Sequence, residues 1–293
     1  DLFKCELGEK HPNTLTALDN LACYHSDLGD YNKACELENI VYNARKEILG
    51  EKHLDTLNAL NNLACYHSDL GDYNKALELE NTVYNGRKEI LGESHLDTLT
   101  VLNNLASLYS SLGDYNKALE LENTVYNARK EILGENHPDT LTVLNNLAIS
   151  YSDLGDYSKA IEMRSAVYNT RKEILGENHL DTLSSLLSLA NSYFSLGDYS
   201  KALEMRSAVY NARKEILGEK HPHTLFALHY LANSYSILGD YSKALEMRST
   251  VYNAFKEILG EKHPHTLSAL HYLANAYSHL GDYRKALEIE IKV

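Results

Sequence analysis

The chain is built on a step of 42 residues, kept by a histidine at His11, His53, His95, His137, His179, His221 and His263. A Gly-Asp-Tyr triplet keeps the same step, from Gly29-Asp30-Tyr31 through Gly71-Asp72-Tyr73 to Gly281-Asp282-Tyr283, with no insertion or deletion between copies. A fixed period of this size marks a stacked array of one small unit, each burying its apolar face against its neighbours. That constraint outranks length. A chain of 293 residues would ordinarily suggest about two domains, but an array grows in one dimension and has no globular size limit. The expected architecture is one continuous array, and the functional question moves from a catalytic pocket to surfaces.

The net charge of -13 disfavours a nucleic-acid backbone or an anionic membrane as partner. The four cysteines, Cys5, Cys23, Cys35 and Cys65, form no CxxC pair and read as reduced thiols, which points to a cytoplasmic protein. No apolar run approaches the ~18 residues that a bilayer span needs. The sequence opens in mid-motif, so a natural N-terminus is expected to lie elsewhere.

Within residues 51–92 two helices account for the unit. The first is expected from about Asp55 to Leu70, with Leu57, Leu60, Leu63, Ala64 and Leu70 at helical spacing and Gly71 ending it. Asp72 is the expected N-cap of the second, which carries Ala76, Leu77, Leu79, Val83, Tyr84, Ile90 and Leu91 and closes at Gly92. The histidine sits just ahead of the first helix. It is followed by Pro12, Pro138, Pro222 and Pro264 in four repeats, the only prolines in the chain, and by leucine in three. Proline suits the first helical residue, so the histidine is expected to cap a helix or pack on the preceding turn. All 22 tyrosines occupy fixed places in the repeat and read as packing residues.

The run LNNLASLYSSLGDYNKALE at residues 102–120 resembles the tetratricopeptide repeat, whose usual step is about 34 residues. The extra length lies in the Arg-Lys-Glu-Ile-Leu-Gly-Glu-x-His-Pro segment, as at residues 129–138, and the variant is similar to the repeats of kinesin light chain and nephrocystin-3 and to arrays on some signalling NTPases. The resemblance implies an all-α, right-handed α-solenoid superhelix of antiparallel helix pairs. Repeats would span 9–50, 51–92, 93–134, 135–176, 177–218 and 219–260. Residues 1–8 would end a preceding repeat and 261–293 would form a truncated seventh. Incomplete ends, with Ile291 at an otherwise polar position, leave open a fragment of a longer protein or end-to-end self-association.

The resemblance also implies that first helices line a concave face, so a partner would meet the first-helix residues outside the core stripe. The column through Asn61 reads Asp19, Asn61, Asn103, Asn145, Leu187, His229, His271. The column through Cys65 reads Cys23, Cys65, Ser107, Ile149, Asn191, Asn233, Asn275. A third column is serine except at Phe194, a fourth runs from Asp27 and Asp69 to Ile237 and His279, and a fifth is polar except at Phe226. Asparagine and serine both donate and accept hydrogen bonds, as a peptide backbone requires. The expected groove is Asn61, Asn103, Asn145, Ile149, Leu187, Asn191, Phe194, Phe226, His229, Asn233, Ile237, His271 and Asn275. Its expected partner is a neutral-to-basic protein segment with an apolar anchor near Phe194. Drift between repeats is the alternative account of the same substitutions.

On the second helices, Glu38, Glu80 and Glu122 give way to Arg164, Arg206 and Arg248, and Glu290 restores the acid. This column reads as a record of block duplication, with a charged edge for a second partner as the alternative; if exposed, unlike charges could pair at the Glu122/Arg164 and Arg248/Glu290 junctions for ~0.2–1 kcal/mol each. Cys23 and His25 with Cys65 and His67 are the best zinc candidates, but cysteine and histidine two apart on a helix diverge, where zinc needs convergence. No cofactor or metal is expected, and no acid, base and nucleophile converge, so an enzyme is not expected. The favoured function is a non-enzymatic protein-interaction scaffold binding an extended segment. The alternatives are a sensor array of a signalling NTPase and a self-associating structural scaffold.

Overall fold

The computed structural model describes residues 7–292. Among these are fourteen α-helices and no strands: α1 (Pro12–Asp27), α2 (Tyr31–Leu49), α3 (Leu54–Asp69), α4 (Tyr73–Leu91), α5 (Leu96–Ser111), α6 (Tyr115–Leu133), α7 (Pro138–Asp153), α8 (Tyr157–Leu175), α9 (Leu180–Leu196), α10 (Tyr199–Leu217), α11 (Pro222–Ile237), α12 (Tyr241–Leu259), α13 (Pro264–His279) and α14 (Tyr283–Glu290). They fall into two compact units that divide between Leu154 and Gly155. In the first unit consecutive helices from α1 to α7 pack on one another, and in the second consecutive helices from α8 to α14 do the same. The expected carry-over of a preceding repeat into residues 1–8 lies, apart from Leu7 and Gly8, outside the described residues.

Two turns alternate. The turn from first to second helix rests on one aspartate. The Asp72 N–H donates to the His67 carbonyl at 2.9 Å and the Gly71 N–H to the Ser68 carbonyl at 2.9 Å, the paired bonds of a glycine-terminated helix end. Gly71 holds φ +78, a region that favours glycine. The Asp72 carboxylate then accepts from the Lys75 N–H at 3.2 Å, which caps α4 as expected. One residue therefore finishes α3 and starts α4.

The second turn rests on the histidine. In all seven copies it is the N-cap, and in His95 the ring Nδ1 accepts from the Asp97 N–H at 3.2 Å. That bond requires a bare Nδ1 and fixes the proton of the neutral ring on Nε2. The four prolines stand at the first helical position. Replacing His95 with Ala is expected to lower stability by about 0.5–2 kcal/mol in urea unfolding, and His95→Asn by much less, because asparagine also caps. Equal losses would show that the histidine packs and does not cap.

The core of the first unit gathers Leu57, Leu60 and Leu63 of α3, Val83 of α4, Leu99, Leu102 and Leu105 of α5 and Val125 of α6. That of the second gathers Leu225, Leu228 and Leu231 of α11 with Val251 and Phe255 of α12. No helix among the described residues is long and apolar enough to cross a membrane.

Candidate interaction surface

The column of second-helix charges is where structure and sequence part. Glu38, Glu80 and Glu122 are 0%, 1% and 5% exposed, and Arg206 and Arg248 are 3% and 5% exposed. The expectation of exposed charges pairing at repeat junctions is therefore corrected: the side chains point inward and meet the first helix that follows. Asn104 Nδ2 donates to Glu80 Oε1 at 2.9 Å, and Asn62 Nδ2 reaches Glu38 Oε1 at 3.4 Å. The arginines turn to backbone acceptors at the same separation of 24 residues. Arg206 Nη1 donates to the Tyr230 carbonyl at 3.0 Å and Arg248 Nη1 to the Tyr272 carbonyl at 3.1 Å. Arg164 Nη1 likewise donates to the Ser188 carbonyl at 3.2 Å and to the Ser192 hydroxyl. Asparagine accompanies glutamate, and serine or tyrosine accompanies arginine, so the two columns change together.

Burial has an electrostatic consequence. Loss of hydration pushes the Glu38 carboxyl up to about 8, with the neighbouring Asp19 charge adding to the effect, and pushes Glu80 and Glu122 up to about 7. The second carboxylate oxygen, Oε2, of each has no hydrogen-bond partner. In the second unit burial and the positive charges of Arg248 and Arg206 pull the His229 imidazole down to about 4. His229 is therefore a neutral ring packed edge-on against Tyr272, 4.4 Å between centroids.

In the second unit, Phe194, Asn233, Ile237 and Asn275 of the expected groove meet around one open cavity of about 440 Å³, completed by Ser236, Arg248, Tyr272 and His279. The side chains come from three successive first helices, α9, α11 and α13, with Arg248 reaching in from α12. Asn233 Oδ1 accepts from Arg248 Nη2 at 3.0 Å. Ile237 is 54% exposed on the rim. Phe226 and His229 line a smaller cavity of about 70 Å³ that shares Tyr272. The other groove residues fall outside both. Leu187 packs on the core formed by Leu183, Leu186 and Val209. Asn191 Oδ1 accepts from Arg206 Nη2 at 2.8 Å, and the Arg206 guanidinium lies 4.4 Å over the Phe194 ring. His271 is exposed, with Nδ1 2.9 Å from the Glu290 carboxylate and Nε2 3.1 Å from Asn275 Nδ2.

In the first unit a cavity of about 190 Å³ opens between α3 and α5, walled by Cys65, Ser68, Asp69, Asn104 and Ser107 and floored by Glu80. Asn61, Asn103, Asn145 and Ile149 do not line it. Asn61 Nδ2 faces Cys65 Sγ at 3.9 Å, Asn103 Oδ1 accepts from Asn146 Nδ2 at 3.3 Å, Asn145 is half-buried and Ile149 is exposed. Asp19, at the head of the Asn61 column, pairs with Arg45 at 2.9 Å. The zinc candidates are engaged elsewhere. His25 and His67 pair with the carboxylates of Asp30 and Asp72, and Cys23 Sγ accepts from the Tyr66 hydroxyl at 3.5 Å. No group of three metal-ligating side chains converges among the described residues.

The two cavities are one cradle seen twice. Four repeats separate Cys65 from Asn233, Ser68 from Ser236, Asp69 from Ile237, Asn104 from Tyr272 and Ser107 from Asn275, and each pair occupies the same wall. The floor is Glu80 in one and Arg248 in the other. Reading first helices alone misses these floors. The signal for them was the spacing of Ala76, Glu80 and Val83, which shares one buried face of α4.

Among curated proteins no match is found. The family profile of the Tetratricopeptide repeat matches residues 25–89, 81–131, 97–171, 154–215, 181–248 and 230–292. Among solved structures, a kinesin light chain-like protein of Podosopora anserina with nearly identical TPR-like repeats is 26% identical. The match covers 71% of this chain and 98% of that one, with a TM-score of 0.63. The signal transduction ATPase of Pyrococcus horikoshii that carries a tetratricopeptide repeat sensor is 17% identical, over 96% of this chain and 42% of that one, TM-score 0.67. The apo quorum sensor NprR of B. thuringiensis is 14% identical, over 94% and 74%, TM-score 0.69. The last two share the fold alone. With six overlapping profile matches from residue 25 to 292 and helix pairs on the same step, the chain belongs to the tetratricopeptide repeat family.

Proposed function

We propose that the chain is a non-enzymatic protein-interaction module that holds a partner segment on its first-helix face. The observation that carries this reading is the cavity of the second unit. There three successive first helices bring Phe194, Asn233, Ile237 and Asn275 to one place, with apolar surface beside amide groups of both hydrogen-bonding senses. An apolar side chain of the segment packs between Phe194, Ile237 and Tyr272, and Asn275 offers its amide to the segment's backbone. Arg248 adds a guanidinium at the floor, so an acidic segment is compatible with this unit even though no first-helix column carries an arginine.

Panning a phage-displayed random peptide library on the full chain tests this. Enriched peptides are expected to share an apolar position and to bind the Phe194→Ser/Ile237→Ser variant about tenfold more weakly, since burying one apolar side chain is worth roughly 1.5–3 kcal/mol. Equal binding by the variant, or no enrichment on the wild type, would sink the reading.

A further inference from the structure

We infer that the cradle between α3 and α5 is a receptor for a cationic side chain, the ammonium of a lysine or the guanidinium of an arginine, with Glu80 as its counter-ion. This deepens the interaction-module reading and rests on it. Glu80 is 1% exposed, yet Oε2 has no hydrogen-bond partner while Oε1 takes the single bond from Asn104. An ionised carboxylate has about four acceptor positions, and a buried one is stable only when paired or well bonded.

The protein supplies no cation of its own to this cavity. Its lining contains no lysine, arginine or histidine. The nearest guanidinium in electrostatic reach, Arg87 on the same helix, is spent on Asn58 Oδ1 at 2.7 Å and the Asp97 carbonyl at 3.0 Å. The walls add Asp69 and the hydroxyls of Ser68 and Ser107, all able to accept from an ammonium or guanidinium. Two carboxylates without a third ligand of that kind suit an organic cation better than a divalent metal, which takes six or more oxygens. Four repeats on, the equivalent floor is the guanidinium of Arg248, so the molecule itself carries the sign-reversed control.

Proton and ligand compete for the same oxygen. Burial pushes Glu80 up to about 7, so a bound cation displaces a proton near neutrality and affinity falls as the solution is acidified below that value. The charged and titratable groups facing Glu80 are Cys65 and Asp69 from α3 and Arg87 from its own helix, and α5 offers only the uncharged Asn104 and Ser107 to the cavity.

The test titrates the full chain, at physiological ionic strength, with N-acetyl-lysine methylamide, N-acetyl-arginine methylamide and the uncharged N-acetyl-norleucine methylamide. The Asn104 side-chain amide is followed by NMR. A saturable shift with either cationic probe, weaker below pH 7 and absent with norleucine, is expected. Glu80→Gln is isosteric, keeps an acceptor for Asn104, and is expected to reduce affinity roughly tenfold with helicity unchanged. An equal shift with norleucine, undiminished binding by Glu80→Gln, or unsaturable shifts spread over surface acids would overturn the inference. Enrichment of library peptides through the Phe194 cavity with no cation response would leave the interaction-module reading standing and remove only this cradle. Loss of all peptide enrichment would remove the parent reading.

Discussion

Replacing Glu38, Glu80 and Glu122 together with Gln raises the urea midpoint of unfolding at pH 8 and leaves it nearly unchanged at pH 4.5. In the unfolded chain these carboxyls titrate near 4.5, whereas in the folded chain they titrate at about 8, 7 and 7. Between those values the native state holds protons that the unfolded state has released, so stability declines as pH rises through the window and is lowest above 8. Glutamine has no charge to bury and escapes the decline. Each tenfold change in proton affinity is worth about 1.4 kcal/mol, so three such groups amount to several kcal/mol. Comparing variant with wild type at each pH cancels the titration of groups far from the three sites. Circular dichroism in urea reads the result, and an equal midpoint change at both pH values would mean that the glutamates are not buried as charges.

The second large effect is expected at Arg206. Its guanidinium donates to the Tyr230 carbonyl, the Ser234 hydroxyl at 2.8 Å and Asn191 Oδ1, and it lies over Phe194. Arg206→Glu brings a carboxylate against a carbonyl and an amide oxygen in a 3%-exposed position, at a cost on the order of 3 kcal/mol. The first unit contains a partial remedy, because Glu80 accepts one hydrogen bond from an asparagine amide that stands 24 residues later. Arg206→Glu with Tyr230→Asn recreates that pair and is expected to recover at least about 1 kcal/mol of coupling in a double-mutant cycle. Strictly additive single effects would show that the glutamate and asparagine columns are not coupled.

Much of the local structure was written plainly. The histidine, the glycine and the aspartate make hydrogen bonds at a helix end and the proline sets φ at the first helical residue, and such local features depend on few neighbours. The cores followed for the same reason, since leucine and alanine at helical spacing have one face to bury. At Glu80 residue type and spacing disagree. Its place between Ala76 and Val83 put it on the buried face, but glutamate is rarely buried, and nothing within one helix reveals the Asn104 amide that accepts its burial. The convergence of Phe194, Asn233, Ile237 and Asn275 on one cavity follows from their shared first-helix faces. Leu187, an apolar residue in a mostly polar column, is partly buried and packs on the neighbouring core, a contact that spacing within one helix does not reveal.

The pairing of a second-helix charge with the first helix that follows also bears on how such a chain changes length. Unequal recombination adds or removes whole units when copies are nearly identical. Loss of residues 51–92 would set Glu38 against Asn104, the same kind of partner it has in Asn62. A loss that set Glu38 against Tyr230 would leave a buried acid facing a position adapted to arginine. The array can therefore grow or shrink silently inside the glutamate block or inside the arginine block. A length change that mixes the blocks carries a folding cost that a change within one block avoids.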